Sequence, residues 1–378
     1  MPASAVYVAG VGMTRFAKHV GRTIESLGHE AVLAAIEDAD VGRGDIDEAF
    51  CGSSYGGPLI GQRIQRDLGM TRIPITNIEN ACSSSAAALR EATTAIAAGR
   101  ANTVLVIGVD KLTGVGGGAI PLGADDLEAT HGMIMPATYA MRARRYMAES
   151  GVDSRQFAKV VVKAHRNGAR NPNAQFRNLI TIDEVEASRI IADPLRLDVC
   201  CPTGDGAAAA IVSNRKTSAR RAVRIAASSL QSGEYKTGFR DMTWSELTAR
   251  TAQIAYNESG VGPEDLDLAE VHDAFASAEM MYYEALGFCR KGDAGRLVDN
   301  GATEIGGKQP VNPSGGLLCR GHPVGATGIA QICEATWQLR GDAGDRQVAG
   351  AKTAITHCTG GGISGLDHGA CAIHVLAT

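Results

Sequence analysis

One order of apolar runs and helical stretches is written twice in this chain, and that duplication restricts the available folds more than any single motif does. The first copy opens on the strand-like run Val6-Tyr7-Val8-Ala9-Gly10-Val11 and continues through a helical pattern over 26–39. It turns at Gly42-Arg43-Gly44-Asp45-Ile46-Asp47 and enters a strand ending near Cys51. The second opens on Val223-Arg224-Ile225-Ala226-Ala227, runs through a helix over 243–259, turns at Gly262-Pro263-Glu264-Asp265-Leu266-Asp267 and enters a strand ending near His272. Downstream, each copy reaches a helix start carrying a reactive side chain: Cys82 ahead of a helix over 86–98, and His322 ahead of one over 328–339. Strands then close each copy, at 103–109 and 207–212 in the first and at 353–356 and 370–376 in the second. Strands alternating with helices predict an α/β fold with largely parallel sheets. The chain divides into halves 1–215 and 216–378, which share a central pair of helices. Residues from about 114 to 194 fit neither copy and read as an insertion in the first half, of the kind that forms lids or binding loops.

Composition narrows the function classes. With 378 residues, 44% hydrophobic, and 46 glycines, the chain is long enough for two or three core-bearing units packed through small side chains. A net charge of -4, from 37 basic and 41 acidic residues, gives no electrostatic reason to expect nucleic acid or an anionic membrane. No apolar run reaches the length of a membrane span, and no secretory leader is written at Met1-Pro2-Ala3-Ser4. The nine cysteines are scattered, with no Cys-x-x-Cys pair, so neither a disulfide framework nor a resident metal is expected, and the chain reads as a reduced, cytoplasmic protein.

Four stretches carry chemistry: Asn80-Ala81-Cys82-Ser83-Ser84, His272-Asp273-Ala274-Phe275, Gly321-His322-Pro323-Val324-Gly325-Ala326-Thr327-Gly328, and Cys358-Thr359-Gly360-Gly361-Gly362. A thiol at a helix start sits where unpaired N–H groups favour the thiolate. A nucleophilic thiol needs a base, a developing oxyanion needs fixed donors, and a carbon acid needs a second base. Histidine suits proton transfer near neutral pH, and glycines around Cys358 let backbone N–H groups approach a reacting carbonyl.

Taken together, these stretches resemble the thiolase superfamily over nearly the whole chain. The resemblance implies two βαβαβαββ halves forming a layered α-β-α-β-α core, with the insertion as a loop domain over CoA. It implies that Cys82 accepts the acyl group, that His322 activates it, and that Cys358 is the second acid/base. The backbone N–H groups of Cys82 and Gly360 would form one oxyanion hole, and His272 with His322, through a water held by His272, the other. His272-Asp273-Ala274-Phe275 replaces the Asn-Glu-Ala-Phe of the degradative and biosynthetic enzymes. It is similar to the sterol-carrier-type, lipid-transfer-protein-like branch, although that branch carries a cysteine where this chain has Ala274. The implied activity is acyl transfer between CoA thioesters, by thiolysis of a 3-oxoacyl-CoA or by Claisen condensation. Coenzyme A is then substrate and product, and no cofactor is permanently bound. The implied partners are acyl-CoA and CoA, a second copy in a homodimer or dimer of dimers, and a small OB-fold protein. The competing readings are a CoA-thioester retro-aldolase on the same scaffold and a non-catalytic acyl-CoA-binding or lipid-binding subunit.

Other residues take plainer readings. Asp273 is expected to cap the following helix. Cys333 and Cys371 pack in the core, and His357 points out of its strand. Cys200 and Cys201 pack near the floor of the site. His131 is a candidate to line the acyl pocket, with a solvated loop as the preferred reading. Asn312 with Gly315-Gly316 is either a turn shaping the site or an ordinary glycine turn. Arg142, Arg144, Arg145, Lys163 and Arg166 are candidates for CoA phosphates, with a solvated helix face as the alternative.

Overall fold

Among the described residues, nine of the eleven strands join into one sheet whose two flanks repeat each other. In the computed structural model, residues 5–116, 118–120, 126–215, 222–236, 238–362 and 368–378 are described. The strands are β1 (Tyr7–Met13), β2 (Glu48–Gly52), β3 (Ile75–Ile78), β4 (Thr103–Lys111), β5 (Ile190–Ala192), β6 (Leu195–Arg196), β7 (Asp205–Ser213), β8 (Val223–Ser232), β9 (Leu268–Glu270), β10 (Thr353–Gly360) and β11 (Ala370–Ala377). The large sheet runs β3-β2-β4-β7-β1-β8-β11-β10-β9. Outward from the central β1–β8 pair, one flank reads β1, β7, β4, β2 and the other β8, β11, β10, β9. The directions correspond as well: β2–β4 and β9–β10 are parallel, while β4–β7, β10–β11, β1–β7 and β8–β11 are antiparallel. The expected largely parallel sheet is therefore a mixed one. Between β10, which ends at Gly360, and β11, which starts at Ala370, the chain is shorter than a parallel crossover needs, so β11 runs antiparallel.

The layers follow from where apolar faces find cover. The helix Ile24–Ala39 covers β1 and β7 on one outer face, and Glu246–Ser259 covers β8 and β11 on the other. Between the flanks lie the helices Ser84–Ala97 and Thr327–Arg340, in contact with each other and with strands of both flanks. This is the five-layered α-β-α-β-α arrangement. Ser84–Ala97 is alanine-rich, and its first six residues are all buried, as a helix between two sheets requires. A Cβ on Gly328 would lie 2.5 Å from the backbone nitrogen of Ala86, so the two central helices meet backbone to backbone at their N-terminal ends. There the Ile329 N–H donates to Ser85 Oγ at 3.1 Å.

Of the insertion at 114–194, residues 117 and 121–125 lie outside the described residues, as do 216–221 at the boundary between the halves. The rest forms three helices of six residues or more, Met135–Ser150, Ser154–Ala169 and Ile182–Ala187, and the β5–β6 ribbon. An Asp153–Gln156 capping box starts the second of these, and Gly151, at φ 74°, ends the first. Their apolar side chains join the second half: Ala140, Tyr146, Phe157 and Val161 share one core cluster with Leu247, Met281, Tyr283 and Leu317. The insertion thus spans from the half that carries it to the other. No helix among the described residues is long and apolar enough to cross a membrane.

Candidate active site

Cys82 stands on a turn strained at one residue. Ala81 adopts φ +48°, left-handed for a residue with a Cβ, and the turn is tied by Ser83 N–H to Asn80 O and Ser84 N–H to Ala81 O, both at 3.1 Å. Those two N–H groups are thereby spent inside the turn. The Cys82 thiol is buried, and burial pushes it up to about 12, against the opposing pull of a hydrogen bond from the Gly361 backbone. The thiolate expected from the helix start is thus overridden: desolvation outweighs the helix end when the end's donors point elsewhere.

The opposing helix brings the base. His322 Nε2 lies 3.3 Å from Cys82 Sγ, and His322 Nδ1 lies 2.7 Å from Thr327 Oγ1. The Thr327 hydroxyl donates to Pro323 O at 3.0 Å, so it accepts from Nδ1–H, and the lone pair of Nε2 faces the thiol. Burial lowers the His322 imidazole to about 3, which keeps it neutral, with the lone pair of Nε2 unprotonated. The resting pair is S–H donating to a neutral imidazole.

Cys358 and His272 complete the group. The Cys358 S–H donates to Cys82 O at 3.1 Å, and its sulfur lies 3.5 Å from His272 Nδ1. The rings of His272 and His322 meet edge to face, with centroids 5.1 Å apart. Burial, with His322 beside it, holds His272 well below the ordinary histidine range. Gly360 lies against the turn that carries Cys82: a Cβ there would be 2.0 Å from Asn80 O. All four sequence-predicted side chains and the Gly360 backbone are therefore brought to one place.

Of the residues that support this group, Asp110 carried no signal in the sequence. Asp110, buried, accepts from Ser53 Oγ, the backbones of Ser54 and Tyr55, and Gly325 N–H at 2.6 Å, tying the end of β4 to the loop after His322. Asn312, at φ +54°, accepts the Val271 N–H at 2.8 Å just before His272 and donates to Glu279. That resolves Asn312 as a residue that shapes the site. Gly315 is required as well, since a Cβ there would meet the backbone of Gly168 at 2.9 Å. Asp273 does not cap its own helix; its carboxylate accepts the Leu317 and Leu318 N–H groups at the start of the short helix Gly316–Cys319. His357 points away from the site as expected but is buried, where its Nδ1 accepts the His272 N–H at 3.4 Å.

Cys82, His272 and His322 line a cavity of about 830 Å³. Phe275, stacked on Tyr139 of the insertion at 4.2 Å, lines it too, as do Cys200 and Cys201. Of the five basic residues considered, Arg142 alone reaches this cavity; Lys163 is buried against Glu279, and Arg144, Arg145 and Arg166 pair with Asp193, Glu149 and Glu304. Lys18, Arg189 and Arg240 also line it and were not anticipated. His131 is exposed and outside the lining.

Known proteins share this arrangement of halves. The family model described as thiolase, N-terminal domain, matches residues 6–216, and the thiolase C-terminal domain-like model matches 228–368. The chain is 41% identical to an acetyl-CoA acetyltransferase of Methanothermobacter thermautotrophicus, over 98% of this chain and 99% of that one. It is 40% identical to the benzoylsuccinyl-CoA thiolase subunit BbsB of Thauera aromatica, over 94% and 95%. It is 38% identical to sterol carrier protein 2 of Rattus norvegicus, over 94% of this chain and 70% of that protein. Among solved structures, one titled Ltp2-ChsH2(DUF35) aldolase superposes with a TM-score of 0.86 at 27% identity, covering 100% of this chain and 99% of that one. With both halves matched by the paired domain models and relatives aligned from end to end, the chain belongs to the thiolase family.

Proposed function

We propose that this thiolase moves acyl groups between CoA thioesters through an acyl-cysteine at Cys82. The observation that carries the assignment of roles is the placement of His322 between Thr327 Oγ1, 2.7 Å from Nδ1, and the Cys82 thiol, 3.3 Å from Nε2. In thiolysis, Nε2 takes the thiol proton while the sulfur attacks the 3-oxo carbon of a 3-oxoacyl-CoA. The bond between C2 and C3 breaks, its electron pair stays on C2, and the Cys358 S–H protonates that carbon to release acetyl-CoA or a homologue, leaving the shortened acyl group on Cys82. Cys358, now a thiolate, takes the proton of CoA–SH; the CoA sulfur attacks the acyl carbon, and Cys82 leaves with the proton held by His322. Condensation is the same sequence reversed. The N–H groups of Cys82 and Gly360 stabilise one oxyanion, with Gly361 N–H beside them at the thiol. His272 and His322 serve the other, through a water held by His272.

Coenzyme A enters as substrate, and no bound cofactor takes part in these steps. All nine cysteines are free thiols, which supports a reducing, cytoplasmic setting. Two copies pair through β3, the strand at one edge of the sheet, whose Thr76 and Asn77 are exposed. The aldolase assembly among the structural neighbours and the word subunit in the name of BbsB support a small OB-fold partner. The same neighbour favours a second reading, retro-aldol cleavage of a CoA thioester, which uses a base and an oxyanion hole without an acyl-enzyme.

A panel of 3-oxoacyl-CoAs, read by intact-protein mass, tests the assignment. An acyl adduct on Cys82 is expected, with thiolysis falling at least about 10³-fold in Cys82→Ala. Undiminished acyl-CoA turnover in that variant would overturn it, and cleavage of 3-hydroxyacyl-CoAs surviving there would favour the retro-aldol reading.

A further inference from the structure

The side chains at the head of the cavity are also grouped closely enough to hold a metal ion. One ligand atom from each of Cys82, His272 and His322 lies within 4.8 Å of the other two. A tetrahedral zinc ion, with Zn–S near 2.3 Å and Zn–N near 2.0–2.1 Å, holds a thiolate sulfur and an imidazole nitrogen ~3.5 Å apart. Cys82 Sγ and His322 Nε2 are 3.3 Å apart as they stand. The ring of His322 is already oriented as metal-binding histidines are, with its other nitrogen donating to a fixed acceptor, Thr327 Oγ1. All three side chains line the cavity, so a fourth coordination position opens onto it. Positions 82, 272 and 322 come from three separate motifs, which is why cysteine spacing gave no hint of them.

We infer that the resting site is a latent three-ligand site for a borderline-soft divalent ion, Zn²⁺ above all, and that the ion competes with acyl-CoA for Cys82. Binding breaks the Cys82 S–H bond and forms a Zn–S bond with the freed sulfur lone pair. The proton goes to buffer, the two neutral imidazoles give their lone pairs, a water takes the fourth position, and no oxidation state changes. One thiolate and two imidazoles suit Zn²⁺ and Co²⁺ and disfavour Mg²⁺ and Ca²⁺, which take oxygen ligands. The site stands on geometry alone; the competition rests on the reading of Cys82 as the acylated nucleophile.

Chelator-treated full-length protein titrated with Co²⁺ tests it. The expected result is one Co²⁺ per chain, with a thiolate-to-cobalt charge-transfer band and the intense ligand-field bands of four-coordinate cobalt, both removed by one equivalent of Zn²⁺. Cys82→Ser and His322→Gln, checked for folding by circular dichroism, should each lose the site or weaken it at least about tenfold. Cys200→Ser, whose thiol lines the same cavity, should keep it. No charge-transfer band in excess Co²⁺, or a band that survives Cys82→Ser, overturns the site. Intact mass after 3-oxoacyl-CoA separates the two ideas: an adduct without a cobalt band overturns the metal site alone, and a cobalt band without an adduct overturns the acyl-transfer reading alone. Where both form, Zn²⁺ should suppress the adduct and EDTA restore it; an adduct formed equally with Zn²⁺ present overturns the competition.

Discussion

Cys82 and His322 hold their proton on sulfur, and that distinguishes this pair from a preformed thiolate–imidazolium. Burial raises the thiol to about 12 and lowers the imidazole to about 3. Thiolate is then scarce at neutral pH, and its fraction grows about tenfold per pH unit in this range. Alkylation of Cys82 by iodoacetamide should accordingly keep rising from pH 6 to pH 9. A plateau below pH 7 would show an ion pair instead. Thr327 is the residue that keeps the lone pair of Nε2 on the thiol, so Thr327→Val should lower kcat by about 10- to 100-fold with little change in KM. Equal loss in KM would mark the threonine as a packing residue only. At this scale the sequence was legible where chemistry is local: Cys82, His272, His322 and Cys358 each sit in a short motif. Asp110 was not, because the segments it ties together, Ser53 to Tyr55 and Gly325, lie far from it and from each other in the sequence.

At the scale of elements, the site is held by close backbone approaches between segments of opposite halves. Gly325 makes one of them: a Cβ there would lie 2.6 Å from Ser53 Cα and 2.9 Å from an Asp110 carboxylate oxygen. Gly325→Ala should cost about 1–3 kcal/mol in urea unfolding and lower kcat by moving His322, whereas unchanged values for both would show that the loop relaxes. The helices and strands of the two copies were readable from periodicity, to within a few residues at each end. Strand direction was not, because apolar runs look alike whichever way they pair, and β7 returns antiparallel to β4 only after the helices of the insertion. Asp273 was misassigned for a related reason. Its sequence places it near one helix, while the fold sets its carboxylate under the N–H groups of another, Gly316–Cys319.

Across the whole molecule, buried neutral histidines make stability depend on acid. His374 in β11 is buried beside Ser228 and lowered to about 4 by burial. Between its ordinary value near 6.5 and 4, the unfolded chain binds a proton that the folded chain does not, so stability is lost as pH falls through that window. The group accounts for about 3 kcal/mol of that loss. The raised carboxyls of Asp110 and Asp273 oppose it, since there the folded chain binds the extra proton. His374→Gln should therefore flatten the dependence of the urea midpoint on pH between 6.5 and 4.5, and a variant as acid-sensitive as the parent would assign the effect to other groups. Pairing through β3 belongs to this scale as well, and light scattering should give the mass of two chains; a monomer would remove that proposal.

The two flanks touch along few residues in the middle of the sheet, Tyr7 with Arg224 and Val8 with Val223, while each half supplies separate members of the reactive group. Turnover is consequently a gauge of alignment between the halves: a slide of about one ångström between flanks would leave every helix and strand whole yet open the gap between sulfur and imidazole. In mild denaturant, activity should vanish before the far-ultraviolet circular dichroism changes.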